Sequence, residues 1–137
     1  MLPKTHIIAG DFLASIIFLI FPEIGLTGFL LIFLSSFLFD MDHYIVYVLR
    51  KKDFSLNKAF YYFKEKKYEK EKRDYILFFH SIEFFIIIFA LSVFSQFFLF
   101  LLIGLLFHFS LDLIEDIKYN GLSRRKFSFF KYMLKMI

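Results

Sequence analysis

Cysteine and tryptophan are both missing from the 137 residues, and there are only two prolines and five glycines. Without cysteine there are no disulfides and no thiolate metal sites, so any ligand set is drawn from His, Asp and Glu. Cationic side chains are missing from the long apolar stretches: no Lys or Arg falls between Thr5 and Leu49, or between Tyr75 and Ile117. An acid inside either stretch has no basic neighbour there to pair with. No internal repeat, glycine-rich phosphate loop or nucleic-acid-binding pattern is visible, and no nucleic-acid partner is expected. Nor does the opening segment read as a cleaved signal peptide. His6 and Asp11 interrupt its apolar part, and no small-residue cleavage pattern follows.

What is present is apolar. Hydrophobic residues make up 59% of the chain, 24 of them Phe, and the mean hydropathy is +0.65. Runs of membrane length give the class, an all-α integral membrane protein. The expected spans cover residues 5–21, 24–49, 74–91 and 95–117, in one membrane domain over 1–137. Pro22, Glu23 and Gly25 mark the first turn. The stretch from Phe84 to Phe107 could be one long span, but Ser92, Ser95 and Gln96 can also mark a hairpin between two helices. The distribution of positive charge decides. With four spans, Lys4, the ten basic residues of the 50–74 region and the six from Lys118 onward all share one side, and these are all 17 in the protein. Three spans would place six of them on the wrong side. The expectation is a four-helix bundle in the inner or plasma membrane with both termini cytoplasmic.

Between spans 2 and 3, the loop 50–73 has Asp53 or Ser55 as an N-cap, then aromatics and Lys-Glu alternation, which predicts a cytoplasmic helix. In the tail 122–137, Phe127, Phe130, Leu134 and Ile137 recur at helical spacing as in an amphipathic helix lying on the membrane. Membrane lipids are the expected partners, and oligomeric state is left open.

Chemistry concentrates in one half of this arrangement. Each expected span holds one of the four histidines, His6, His43, His80 and His108. Asp40 and His43 are i,i+3, His80 and Glu83 are i,i+3, and His108 and Asp112 are i,i+4, so each pair shares a helix face. Asp42 lies off its helix face unless the helix is distorted. Gly10, one turn from His6, permits close backbone approach. At about 1.5 Å per residue, His80, Asp40–His43 and His108 all lie roughly 9–15 Å in from the cytoplasmic end. His6 begins its helix at that end, while Asp11 is about a turn deeper and Glu115 and Asp116 sit nearer the interface. Such a cluster suits a divalent ion, Zn²⁺ first and Mn²⁺ or Fe next, as one or two ions. Metal-ligand candidates are His6, Asp40, Asp42, His43, His80, His108 and Asp112.

At these residues the chain resembles the YdjM-like inner-membrane metal-dependent hydrolases. Phe39-Asp40-Met41-Asp42-His43 is similar to that family's Pro-Asp-x-Asp-His, with Thr5-His6 before it. His80-Ser81 and the His-x-x-x-Asp of His108 to Asp112 follow it. The last spacing is more distantly similar to zinc-dependent phospholipase C. Phe39 stands where the family has Pro, and the family's His-Arg-Gly before the His-Ser is absent. The resemblance implies a metal-activated water attacking a phosphoester in a lipid or membrane-proximal substrate. Glu83 is the candidate general base and Asp42 the other candidate catalytic carboxylate. A non-catalytic, metal-stabilised scaffold or partner-binding protein is the alternative. A carrier fits less well, because the outer halves of the spans are almost purely apolar.

Overall fold

A computed structural model gives the fold and describes residues 3–65 and 77–119. Among them every regular element is helical: α1 (Pro3–Ile20), a 3-10 turn (Pro22–Ile24), α2 (Gly25–Leu38), α3 (Met41–Lys51), α4 (Leu56–Lys64), a second 3-10 turn (Phe78–His80), α5 (Ile82–Ser92) and α6 (Gln96–Tyr119). The stretch 66–73 of the expected loop and the tail 122–137 lie outside the described residues. Among the described residues, two segments are long and apolar enough to cross a membrane: Pro22–Lys51, with mean hydropathy 1.9, and Gln96–Glu115, with mean hydropathy 2.3.

The centre of the fold is α2, flanked by α1 and α6, with α5 packed on α6. Small residues set these approaches. Gly10 of α1 lies against Ser36 of α2, and Gly104 of α6 lies against Ser35 and the carbonyl of Ile32. A methyl group at either glycine would overlap those atoms, so only glycine lets the helices come this close. The hydroxyls of Ser35 and Ser36 cause no polar penalty here, because they bond back to the carbonyls of Leu31 and Phe33, each at 2.6 Å.

Burial follows the same logic. His6, Gly10 and Ala14 form the inner stripe of α1, and Gly104, His108 and Asp112 that of α6. Among the described residues the interior contains as many polar or charged residues as apolar ones, while Ile8, Phe12, Leu19, Ile86, Phe89 and Phe94 face outward. This is the reverse of the distribution expected for a domain in water.

Two expected spans are not continuous helices. The segment 24–49 breaks at Phe39–Asp40, where Asp40, Asp42 and His43 donate their backbone N–H groups to carbonyls three residues back instead of four. This tightening rotates the chain between α2 and α3. Of the expected 74–91 helix, residues 77–91 are described, and in them the α-helix starts only at Ile82. Ser81 is extended (φ −84°, ψ 147°) and its hydroxyl accepts from the N–H of Phe84 as an N-cap. The N-cap ends the preceding 3-10 turn, so His80 and Glu83 do not share a helix face. At about 1.5 Å per residue α5 is roughly 16 Å long, about half a hydrocarbon core.

The helix expected in the 50–73 loop is present, over its described part, as α4. Ser55 caps it, accepting from the N–H of Lys58, while Asp53 accepts from the N–H of Ser55 and pairs with Lys58 Nζ at 2.8 Å. The helix folds back on α3: Tyr47, Ala59 and Tyr62 form a small buried cluster, and the Tyr44 hydroxyl donates to the carbonyl of Phe54.

Candidate metal centre

His6 and His108 are each placed one helical turn from a glycine contact. Gly10 and Gly104 draw α1 and α6 onto α2, and the two imidazoles come to 4.3 Å between ring centroids with neither exposed. Asp112, one turn beyond His108, is 1% exposed. Its Oδ1 lies 3.1 Å from His6 Nε2, and its Oδ2 lies 3.4 Å from His80 Nε2 and 3.9 Å from His108 Nε2.

The helix break supplies the other side. It brings Asp40 over the cluster, with Oδ2 4.0 Å from His6 Nε2 and Oδ1 3.7 Å from His108 Nε2 and 3.5 Å from His43 Nδ1. It also turns Asp42 inward. That residue's Oδ2 accepts from His80 Nδ1 at 2.9 Å and from the N–H of Phe79 at 3.3 Å, and its Oδ1 lies 3.1 Å from His43 Nδ1. The distortion that Asp42 needs is therefore present. All seven metal-ligand candidates meet at one place, Asp42 as the residue that holds His80 and His43. Four of them, His6, Asp40, His108 and Asp112, could hold one ion, and Asp40, His43 and His80 form a second such group. Glu83 stands in the first turn of α5, and neither group includes it. Asp11 and Glu115 also fall outside both groups, and Asp11 faces outward.

The ring tautomers follow from the partners. A carbonyl or a carboxylate accepts, so His108 Nδ1–H donates to the Ser36 carbonyl at 2.9 Å and His80 Nδ1–H donates to Asp42. In the neutral imidazoles both Nε2 atoms then carry lone pairs, and they face each other at 3.0 Å. Two lone pairs at that distance repel, and either a proton on one ring or a metal ion between them removes the repulsion. Asp40 Oδ2 is buried with no hydrogen-bond partner among the described residues, a costly state that a cation would relieve. The spacing suits a metal as well. Ligand atoms about 2.0–2.1 Å from a tetrahedral ion are about 3.3 Å apart, and the separations here run from 3.0 to 4.0 Å. The donor set therefore fits a divalent ion of the Zn²⁺ or Mn²⁺ type.

Access comes from one side. Asp40 is 18% and His43 26% exposed, and Phe63 of α4 sets its ring edge against His43 at 5.0 Å between centroids. The sequence reading missed Ser36, whose carbonyl orients His108. The signal was there, since Ser35-Ser36 is the one polar pair in an otherwise apolar run.

No protein-family model, curated protein or solved structure matches the chain. The likeness to the YdjM-like hydrolases rests on the four short motifs.

Proposed function

We propose that the protein is a multi-pass membrane metal-dependent hydrolase, acting from the cytoplasmic face on a phosphoester of a lipid or membrane-proximal substrate. The observation that carries this reading is the pair of Nε2 atoms at 3.0 Å, each with its Nδ1–H already engaged, enclosed by Asp40 and Asp112. The outward Phe, Ile and Leu side chains support a lipid surround for all four apolar segments, as does the one-sided placement of Lys and Arg.

A divalent ion held there supplies a Lewis acid for a phosphoryl oxygen and a water acidified toward neutral pH. The chain's own residues do the rest. Ser36 and Asp42 fix His108 and His80, and Asp42 holds a proton at His80 Nδ1. The partly exposed Asp40–His43 edge is where substrate enters. No Lys or Arg lies in the apolar segments, so phosphate is anchored chiefly by metal, and the anionic ester stays at the membrane surface beside α4. Glu83, three residues beyond His80 in the first turn of α5 though not on a shared helix face, is kept as the candidate general base. On that role Glu83→Gln keeps its metal while turnover falls about 10²–10⁴-fold.

The near-complete burial of His6, His108 and Asp112 favours a second reading, a closed structural site in a scaffold. Elemental mass spectrometry of detergent-purified protein, with His108→Ala and Asp112→Ala beside it, tests the centre. Retained metal lost in both variants supports it. No metal after addition of Zn²⁺ or Mn²⁺ would sink it. Turnover of phosphoester substrates by the loaded protein then separates hydrolase from scaffold.

A further inference from the structure

The two groups of ligands overlap at Asp40, and the overlap has a direction. Both site carboxylates are split in the same sense. Asp40 turns Oδ2 toward His6 and Oδ1 toward His43 and His108. Asp112 turns Oδ1 toward His6 and Oδ2 toward His80 and His108. One ion chelated by both carboxylates would not need the histidines on opposite sides of the two groups. Two ions would, because a carboxylate bridging a pair of metals about 3.5–4 Å apart gives one oxygen to each.

We infer that the centre holds two divalent ions bridged by Asp40 and Asp112. One position has His6 Nε2, Asp40 Oδ2 and Asp112 Oδ1. The other has His80 Nε2, His108 Nε2, Asp40 Oδ1 and Asp112 Oδ2, with His43 on its exposed side. The first position has a single nitrogen ligand, His6 Nε2, so it keeps coordination sites for water or a substrate oxygen. Charge points the same way. Asp40, Asp42 and Asp112 bring three negative charges to a centre without a lysine or arginine in its apolar segments. A single divalent ion leaves it net negative, which repels an anionic ester. Two leave one positive charge, which attracts it.

This deepens the hydrolase reading and rests on it, and Mn²⁺ distinguishes the two failures. Full-length protein in detergent, stripped of metal and titrated with Mn²⁺, is read by metal analysis and electron paramagnetic resonance. The expected result is two Mn²⁺ per chain with an exchange-coupled spectrum. His6→Ala and His80→Ala each hold one Mn²⁺, and in each the coupling is lost. One Mn²⁺ per wild-type chain with an isolated six-line spectrum overturns the two-ion centre and leaves a mononuclear hydrolase standing. No bound Mn²⁺ overturns both. The wild-type stoichiometry decides even if a variant fails to fold.

Discussion

The two halves of the centre are built by opposite means. His6, His108 and Asp112 stand on α1 and α6, which are unbroken through the site, and helix packing places them, with the Ser36 carbonyl orienting His108. Asp40, Asp42, His43 and His80 stand where helices stop, at the α2–α3 break and in the 3-10 turn before α5. The first half is held by close packing, glycine against serine. The second is held by hydrogen bonds, above all those of Asp42 to His80, His43 and the Phe79 N–H. A packed half resists distortion but cannot adjust. A half made of chain breaks can place a carboxylate off its helical face, and depends on each bond that holds it there.

The sharpest test removes the residue of the packed half that reaches across to the bonded half. Asp112 faces His6, His80 and His108 from within the interior. Asp112→Ala should abolish metal binding and leave three buried imidazoles around a hole. The expected loss is about 3–5 kcal/mol, the scale for breaking a buried charged pair, together with the stabilisation that metal provides. Thermal unfolding in detergent with and without Zn²⁺ measures both. A metal-dependent shift that survives in Asp112→Ala would break the picture of a shared hub.

Next comes the packed half alone. Gly104→Ala drives a methyl into the Ile32 carbonyl, which cannot move without bending α2, whereas Gly10→Ala meets mainly the Ser36 side chain. Overpacking of this kind costs roughly 1–3 kcal/mol, with Gly104→Ala at the upper end and Gly10→Ala at the lower. Equal losses would mean that α2 yields as easily as a serine rotamer. The bonded half should respond differently. Asp42→Asn keeps the shape of the side chain but weakens its hold on His80 and His43, so metal affinity falls about 10–100-fold, as for other residues that orient a ligand. Helix content and unfolding temperature without metal stay close to the wild type. If Asp42→Asn unfolds the protein instead, the breaks are as structural as the helices.

This division also explains what could be read in advance. The i,i+4 spacing of His108 and Asp112, the one histidine per apolar segment, and Gly10 beside His6 are periodic features, and periodicity survives packing. The inward turn of Asp42 is not periodic. It depends on a helix break at Phe39–Asp40 that no proline or glycine announces. The start of α5 had a local signal, Ser81 followed by an acid in the first turn, but the apolar run from Tyr75 to Phe79 obscured it. The contacts of Ser35 and Ser36 with the glycines were out of reach, since they depend on which helices become neighbours.

The smallest effects belong to α4, which is tied to the bonded half through the Phe63–His43 contact. Ser55→Ala removes the N-cap and costs about 1 kcal/mol of local helix stability. Asp53 adds to it. Its hydrogen bond from Lys58 holds the carboxyl below the usual 3.8, and Asp53 in turn raises Lys58 above the usual 10.5. A lowered acid stabilises above its unfolded pKa and loses that contribution as pH falls through the folded one. A raised amine stabilises below its unfolded pKa and loses it as pH rises. The pair therefore supports α4 between about pH 3.8 and 10.5, weakly, because both groups are exposed and screened by salt. Hydrogen exchange at the Lys58 and Ala59 amides should be modestly faster in Asp53→Asn than in wild type at pH 6. That difference should shrink in high salt. No difference at low salt would mean that α4 is held by Tyr47, Ala59 and Tyr62 alone, and that its grip on the mouth of the site is apolar.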